Sequence, residues 1–461
     1  MSINVDREIV IENSLSRYGE YVRVALAALS KEEQPAPTRE FHPGYELPDP
    51  TEELVELFAP SKLAFADLGS YRSKHLTLLD LTRNPHTRTT KTCASLVIVA
   101  RAVHYIQTTG ERVMILSPSS GNKATALRDS VLRAFQAGLV TPEQLQIVVV
   151  IPRSSRDKVW SSPLIEDPAL RARNAVVTYQ GERAADVKAL ARQLVDGYTE
   201  QLRNEHGMNL WYTLDINNYK VADIVRACAE YEYLPRDDGR HRLHVHAVSS
   251  AYGLLGHNFG VEILASGGRT APSAHYFLVQ HLATPDMVLS LHYDSTSREN
   301  MPNYRYVEDT GLYQQQESPY FPGKTSDPEE NLDPTFYTRE PPTSAVMNSI
   351  IRTQGGGGIV VSLHECLDRY PAVRAMLSAA NIRLPKDPHR IREWSLVMAM
   401  TGILNAIDRG LIHGDDILVH GSGAYEVADY DPISDAWLEP VSGIDELAKV
   451  VWRAASGRLI A

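Results

Sequence analysis

A lysine at the start of an apolar helix is the residue best suited to covalent chemistry in this chain. Lys91 follows the hydroxyl-rich stretch NPHTRTT, which begins at Asn84, and precedes the segment TCASLVIVARAVHYI. A lysine that loses hydration on burial becomes a nucleophile that can attack a carbonyl group. The alternative is a solvated lysine in an ordinary first helical turn. This segment alone leaves both interpretations open.

Three turns of small and hydroxyl-bearing residues follow predicted strands. They are SSGN at 119–122, SSAYGLLG at 249–256 and GSG at 421–423. Turns at the carboxyl ends of parallel strands are where open α/β folds bind ligands, and small residues before a helix let backbone N–H groups bind an anion. The alternative for each is a simple turn with a serine cap.

The elements around these turns alternate between short apolar strands and amphipathic helices. RVMILSP, QLQIVVVIP, NAVVTYQ, LHVHAV, GGIVV and DDILVH are predicted strands, and KATALRDSVLRAFQAGL, ADVKALARQLVDGYTEQLRNEHG, LHECLDRYPAVRAML, REWSLVMAMTGILNAIDRG and IDELAKVVWRAASG are predicted helices. This alternation predicts βαβ units around parallel sheets. The fold class is therefore α/β.

The chain divides into four predicted regions. Residues 1–75 form an N-terminal arm with helices, residues 76–435 form the main α/β region, with a smaller inserted subdomain at roughly 115–240, and residues 436–461 form a C-terminal helix. Residues 290–345 are polar and rich in Tyr and Pro, which predicts a long loop or lid.

Composition excludes several classes of protein. The formal net charge of −11 over 461 residues argues against a nucleic-acid partner, which would need clustered basic residues. Cys93, Cys228 and Cys366 lie far apart, which fits a reducing compartment without disulfides or a thiolate metal site. No stretch has the length of a signal peptide core or a membrane helix, so we expect a cytoplasmic protein without a membrane partner.

The order of these motifs resembles that of the PLP (pyridoxal 5′-phosphate) enzymes of fold type II, the tryptophan-synthase-β-like superfamily. The likeness covers roughly residues 76–435 and is greatest to threonine synthase. TRNPHTRTTKTCASLVIV, SPSSGNKATAL, VVTYQGERAADVKALARQL, LDINNYKVADIV, VSSAYGLLG, QGGGGIVVSLHECL and DDILVHGSGAYEVADYDP each resemble a segment of that family. The resemblance implies two three-layer αβα domains with mostly parallel sheets.

The resemblance also implies roles for individual residues. Lys91 matches the lysine that forms the Schiff base with PLP, and Asn122 matches the asparagine that contacts the PLP 3′-oxygen. Ser422 would face the pyridine nitrogen. The other cofactor-binding positions are Ser120 and Gly121 beside Asn122, and Ser249, Ser250, Ala251, Tyr252 and Gly253 around the phosphate.

Departures from the family pattern indicate a divergent member. Lys91 is followed by Thr and Cys where the family has Asp and Arg, and Ser250 and Ala251 replace a glycine and an asparagine. The resemblance implies a PLP-dependent lyase or synthase of amino-acid metabolism that eliminates or replaces a group at the β or γ carbon of an activated amino acid.

Two further interpretations and one analogy accompany this prediction. The chain could be a threonine synthase acting on O-phosphohomoserine, with a cationic pocket drawn from Arg88, Lys123, Arg153 and Lys220. It could also be a relic of the fold without catalysis that binds an amino acid or a partner. A homodimer is expected by analogy with the superfamily.

Histidines give a weaker signal. His244 and His246 alternate on one predicted strand and share a face, but the sequence offers no third ligand at suitable spacing, so no metal site is predicted. His257 is a candidate acid or base only because it follows the phosphate turn.

Overall fold

The computed structural model describes residues 8–32, 40–214, 216–235, 239–270, 274–336 and 338–457. The strands are β1 Ile9–Ile11, β2 Leu63–Tyr71, β3 Lys74–Asp80, β4 Arg112–Pro118, β5 Leu145–Pro152, β6 Val176–Tyr179, β7 Met208–Tyr212, β8 Arg242–Ala247, β9 Ala274–His281, β10 Arg305–Val307, β11 Leu312–Gln314, β12 Lys324–Thr325, β13 Gly356–Val361, β14 Asp416–Gly421 and β15 Leu438–Val441.

The helices are α1 Ser14–Arg17, α2 Gly19–Glu32, α3 Glu52–Phe58, α4 Thr92–Thr109, α5 Asn122–Gln136, α6 Pro163–Glu166, α7 Pro168–Arg173, α8 Asp186–His206, α9 Ile216–Ala222, α10 Val225–Tyr233, α11 Tyr252–Ser266, α12 Asp286–Tyr293, α13 Ser344–Gln354, α14 Leu363–Ala379, α15 Ser395–Asp408 and α16 Ile444–Ser456.

The chain forms two compact units, each with its own sheet. The described residues of the first unit fall within 1–11, 62–83 and 226–429, and those of the second within 12–61, 84–225 and 430–461. The predicted α/β architecture with mostly parallel sheets is confirmed in both units.

The first unit contains a seven-stranded sheet in the order β1-β2-β3-β14-β8-β9-β13. The pairs β1–β2 and β2–β3 are antiparallel, and all later pairs are parallel. One apolar cluster, which includes residues of α14 and α15, covers one face, and a second, which includes residues of α11, α12 and α13, covers the other. The sheet is therefore buried on both sides, as expected for parallel strands.

The second unit contains a five-stranded sheet in the order β15-β6-β5-β4-β7, in which all pairs are parallel. Helices α8 and α16 share one apolar cluster with strand residues of this sheet. Helices α4 and α5 pack against each other and against its strands. Each of these helices follows an apolar periodicity in the sequence, which explains why they could be predicted.

The boundaries of the units differ from the predicted regions. The second unit is wider than the predicted subdomain at 115–240, because α4 and α16 pack on its sheet and β15 extends it. The predicted arm at 1–75 also contributes β1 and β2 to the sheet of the first unit. Both strands are short or irregular in their apolar alternation, so the sequence did not indicate them.

The described part of the segment 290–345 is mostly irregular but contains three short strands. Strands β10, β11 and β12 form a small antiparallel sheet. The segment is anchored to the rest of the first unit through β12 and Asp333, since the Ser362 hydroxyl donates to the Lys324 carbonyl at 2.8 Å and the Trp394 N–H donates to Asp333 at 2.9 Å. The role of this segment as a lid stays a prediction.

Candidate active site

Lys91 lies at the helix start that the sequence predicted. It caps the N-terminus of α4 with helical backbone angles (φ −79°, ψ −8°) and is half-buried. Its Nζ lies 5.4 Å from the centroid of the Tyr219 ring, and Tyr219 is buried on α9. The amine therefore lies over the buried ring of Tyr219 within the second unit rather than extending into bulk water.

The stretch before Lys91 is held by its own polar side chains. The Asn84 amide donates to Asp129 of α5 at 3.1 Å, and the hydroxyls of Thr87 and Thr92 lie 2.8 Å apart. Arg88 has a φ of +41°, a left-handed conformation that is uncommon for a residue with a side chain. The hydroxyl-rich sequence thus serves to fix the approach to Lys91.

The 119–122 turn is built to expose its backbone at the start of α5. The Ser119 hydroxyl accepts hydrogen bonds from the N–H groups of Gly121 and Ala124 at 3.1 and 2.9 Å. Gly121 has a φ of +121°, and a β-carbon there would lie 2.9 Å from Cβ of Lys158, so only glycine fits. Ser120 and Asn122 are half-buried beside it.

Lys123, like Lys91, has its amine near the ring of Tyr219. It is 7% exposed, its amine donates to the Thr213 carbonyl, and its Nζ lies 5.5 Å from the centroid of the Tyr219 ring. The two lysine amines are therefore both in contact range of one tyrosine ring. From the sequence, Lys123 was predicted only as one of four cations for a substrate phosphate.

The other three candidate cations are also in the second unit, but they do not form one described cluster. Arg88 is half-buried in the stretch before α4, and Lys220 is half-buried on α9. Arg153 is exposed after β5, where it lines a cavity of 490 Å³ together with Arg156 and Glu182.

The 249–253 turn of the first unit contains a buried hydroxyl that forms no hydrogen bond within the described part of the chain. The Ser249 Oγ is shielded from solvent. Ala251 caps α11 in a left-handed conformation with a φ of +51°, and Ser250 is fixed through its carbonyl, which accepts from the Thr343 hydroxyl at 2.8 Å. Tyr252 and Gly253 begin the helix. A buried polar atom of this kind indicates a missing partner.

Ser422 lies at the same sheet edge as this turn. It follows β14, which pairs in parallel with β8, and β8 leads into the turn. Its hydroxyl lies 2.8 Å from Nε2 of His246, and Ser422 is 5% exposed. The two motifs of the first unit therefore follow neighbouring parallel strands and lie at one edge of the sheet.

Arg226 is a site residue that the sequence interpretation missed. It is 1% exposed on α10, and its guanidinium lies against the first turn of α11. A β-carbon at Gly253 would lie 2.6 Å from both of its terminal nitrogens and 2.7 Å from its Cζ. The signal was present in VRACAEYEY, where an arginine precedes a glutamate by four residues in an otherwise apolar helix.

A buried histidine cluster lies behind Arg226. The Arg226 NH1 donates to Nδ1 of His420 at 3.2 Å, and Nε2 of His420 lies 3.0 Å from Nδ1 of His244. Glu230 follows, 3.6 Å from Nε2 of His244 and 2.7 Å from Nε2 of His257. All four residues of this cluster, His420, His244, Glu230 and His257, are buried.

The electrostatics of the cluster centre on one carboxylate. Burial alone would raise the pKa of Glu230, but its neighbours His244 and His257 and the Arg242 guanidinium at 2.7 Å together lower the pKa, so the carboxylate is ionised. Burial also lowers the pKa values of His244 and His420 well below the ordinary range, which keeps both imidazoles neutral.

The histidine prediction needs a correction. His244 and His246 share a face as predicted, but they contact different partners, His420 and Ser422. Two other groups do accompany His244, since Glu230, His244 and His257 bring potential ligand atoms within 4.8 Å of one another. They are separated in sequence, which is why spacing along one strand did not reveal them.

The predicted cofactor residues divide between the units. Lys91, Ser120, Gly121 and Asn122 belong to the second unit, and residues 249–253 with Ser422 belong to the first. Within each unit the structure brings the predicted motifs to the ends of strands or the starts of helices. Their contacts with a cofactor stay predictions.

A family model covers nearly the whole chain. It matches residues 10–455 and is described as a family of unknown function, DUF6002. The chain belongs to this family. No protein with a curated description matches the sequence of this DUF6002 member.

Solved structures similar to this DUF6002 member include PLP-bound threonine synthase from Brucella melitensis, with a TM-score of 0.50, 13% identity and coverage of 94% of this chain and 89% of that chain. Threonine synthase from yeast has a TM-score of 0.49, 10% identity and coverage of 97% and 83%. A fungal L-serine ammonia-lyase from Rhizomucor miehei has a TM-score of 0.48, 14% identity and coverage of 82% and 93%.

The similarity to the threonine synthase from Brucella melitensis shows the fold. Together with the two predominantly parallel sheets, it confirms that this DUF6002 member is a divergent protein with the fold-type-II architecture predicted from the motifs. Among the described residues, no helix has both the length and the apolar character needed to cross a membrane.

Proposed function

We propose that this protein is a PLP-dependent lyase or synthase that acts on an amino acid. The observation that carries the proposal is the cradle in the first unit, where the 249–253 turn and Ser422 meet at one sheet edge and the buried Ser249 hydroxyl is free to bind an added group. The fold shared with a PLP-bound threonine synthase supports it.

The residues present fit the cofactor chemically. The cradle combines a helix N-terminus, a buried hydroxyl and the Arg226 guanidinium, which are three kinds of group that bind phosphate. Lys91 supplies an amine beside the Tyr219 ring, and Asn122 supplies an amide at the start of α5. When bound, PLP would supply the electron sink for bond cleavage at the α, β or γ carbon of an amino acid.

Each residue has a defined task in this proposal. Lys91 would hold the cofactor through its amine, and the same amine would serve as the base that removes or returns the proton at the α carbon of the substrate. Asn122 orients the ring through its amide. Ser422, whose hydroxyl lies 2.8 Å from His246, would hold the ring nitrogen by a hydrogen bond. A hydroxyl leaves that nitrogen less protonated than a carboxylate would, which favours elimination and replacement over transamination.

The substrate and setting form the finer part of the proposal. We propose elimination or replacement at the β or γ carbon of an activated amino acid, in a cytoplasmic homodimer. A narrower candidate is threonine synthase activity on O-phosphohomoserine, favoured by Lys123, which is buried within reach of the ring that also contacts Lys91.

An absorption spectrum of the purified protein with added PLP tests the proposal. We expect an absorption band at the violet end of the visible spectrum. This band should be lost in Lys91→Ala and kept in Lys449→Ala, a control at an exposed lysine on α16. A colourless wild-type protein that takes up no PLP would support a non-catalytic relic of the fold instead. Titration with a panel of amino acids, and release of inorganic phosphate from O-phosphohomoserine, would then separate the substrates.

A further inference from the structure

Two helices of the first unit face each other with their residues in matched register. Arg226 and Glu230 lie four residues apart on α10, and Gly253 and His257 lie four residues apart on α11. Arg226 packs against Gly253, and Glu230 bonds to His257 at 2.7 Å one turn further along. Because residues four apart share a helix face, the two contacts form consecutive rungs between the helices.

Two hydrogen bonds and one longer electrostatic contact join Arg226 to Glu230, and their directions are fixed. A guanidinium can only donate, so Nδ1 of His420 must accept from Arg226. His420 is neutral, and its proton is then on Nε2, which donates to Nδ1 of His244 at 3.0 Å. The proton of neutral His244 is in turn on Nε2, which faces Glu230 at 3.6 Å.

This direction makes Glu230 the common end point of the cluster. His244 faces the carboxylate, while His257 and Arg242 both donate to it at 2.7 Å. The negative charge of Glu230 orients the imidazole of His244, which orients that of His420, which presents an acceptor to Arg226. Hydrogen bonds in such buried chains polarise one another.

The same direction argues against a cation between Glu230, His244 and His257. A metal would need the lone pair of His244 Nε2, which moves the proton of that ring to Nδ1. There it would face the Nε2–H of His420, and His420 cannot shift its own proton because Nδ1 accepts from Arg226. The Arg242 guanidinium on the same carboxylate adds further repulsion.

We propose that Arg226 is the fixed cation for the phosphate monoester bound at the 249–253 turn, and that Glu230, through His244 and His420, positions it. This inference rests on the proposed function and deepens it. In place of a glycine-rich loop, the turn has Ser250 and Ala251, and a buried guanidinium over the helix N-terminus compensates with a full positive charge.

Comparing PLP with pyridoxal, which lacks the phosphate, tests the role of Arg226. Affinity for both is measured by fluorescence titration of the full chain. We expect Arg226→Met to weaken PLP binding at least about tenfold and to leave pyridoxal binding within about threefold, because one charge-assisted contact is lost. Arg226→Lys keeps a charge and should give an intermediate preference, which covers the case in which Arg226→Met does not fold.

A matched pair of variants tests the positioning role of Glu230. Glu230→Gln should lower the preference for PLP over pyridoxal at least about threefold, since removing the negative charge that His244 Nε2 faces at 3.6 Å loosens the orientation of His244, His420 and Arg226. His257→Asn is the control, because His257 bonds to the same carboxylate but is not on the path to Arg226. It should change the preference clearly less than Glu230→Gln does, because the Arg242 guanidinium at 2.7 Å still holds the carboxylate ionised, even if the variant lowers the melting temperature.

The remaining outcomes each decide the proposal. An unchanged preference in Arg226→Met, or equal changes in Glu230→Gln and His257→Asn, would overturn it, as would a retained zinc ion whose removal by a chelator abolishes the preference. If wild type binds neither PLP nor pyridoxal, the proposed PLP-dependent function is contradicted, but the anion site at Arg226 still has to be tested. Inorganic phosphate then tests the anion site, and a thermal stabilisation by phosphate that is lost in Arg226→Met supports it, whereas no stabilisation in wild type contradicts it.

Discussion

The guanidinium of Arg226 occupies the space where a side chain at Gly253 would begin. A β-carbon at Gly253 would lie 2.6 Å from both terminal nitrogens, which is closer than non-bonded atoms approach. Arg226 is fully buried there and bonds to His420. The pair therefore couples the start of α11 to a cluster that no single motif in the sequence reveals.

Gly253→Ala should displace the Arg226 guanidinium. We expect a loss of about 2–4 kcal/mol in the free energy of unfolding, because a buried charged group must move off its partner, together with weaker PLP binding. Chemical denaturation measures the first effect. Gly197→Ala is the matched control, since it has no neighbour within 4 Å and lies in α8, and it should stabilise the protein by up to about 1 kcal/mol. Equal effects of the two substitutions would contradict the close packing at Gly253.

Ser249→Ala should affect the stability of the free protein and the binding of PLP in opposite ways. Removing a buried hydroxyl that has no hydrogen bond should leave the free protein as stable as wild type or more stable, by up to about 1–3 kcal/mol. The same change should weaken PLP binding by several-fold. Ser119→Ala is the contrast, because that hydroxyl accepts two backbone hydrogen bonds, and its loss should cost about 1 kcal/mol in the free protein. A destabilised free Ser249→Ala would show that the hydroxyl already serves the fold.

Acid should weaken the fold through His281. Burial lowers the pKa of this imidazole from its ordinary 6.5 to about 4, although nearby Asp333 raises it in part. The folded imidazole stays neutral while the unfolded one takes up a proton, so stability is full above pH 6.5 and falls as the pH drops toward 4, by about 3 kcal/mol. Denaturation across this window should show a smaller pH dependence in His281→Asn than in wild type. His389→Asn, at an exposed histidine, should keep the wild-type dependence, and an unchanged slope in His281→Asn would contradict the assignment.

The sequence predicted the parts of the fold that depend on local pattern. Strands such as β4 and β5 and helices such as α8 follow from apolar periodicity, and the turn at Gly121 follows from a residue type that its backbone conformation requires. Strand β7 and strand β9 were missed, because aromatic and polar residues interrupt their apolar runs. The loop predicted at 290–345 proved to contain a small sheet whose strands have only two or three residues each.

The candidate site was predictable only where one motif carries it. Lys91, Asn122 and Ser422 each follow from a resemblance to a family segment. Arg226 and Glu230 contribute through long-range contacts with His420 and His257, and these contacts depend on which helix faces which strand. Such contacts arise from the packing of elements far apart in the chain, which residue spacing does not encode.

Chemical trapping of the cofactor tests the central claim most directly. Protein incubated with PLP is reduced with borohydride, digested and examined by mass spectrometry for a phosphopyridoxyl group. The account predicts stoichiometric labelling on the peptide that contains Lys91, and no label at that site in Lys91→Ala. Labelling confined to Lys123 or spread over exposed lysines, with Lys91 unmodified, would contradict it.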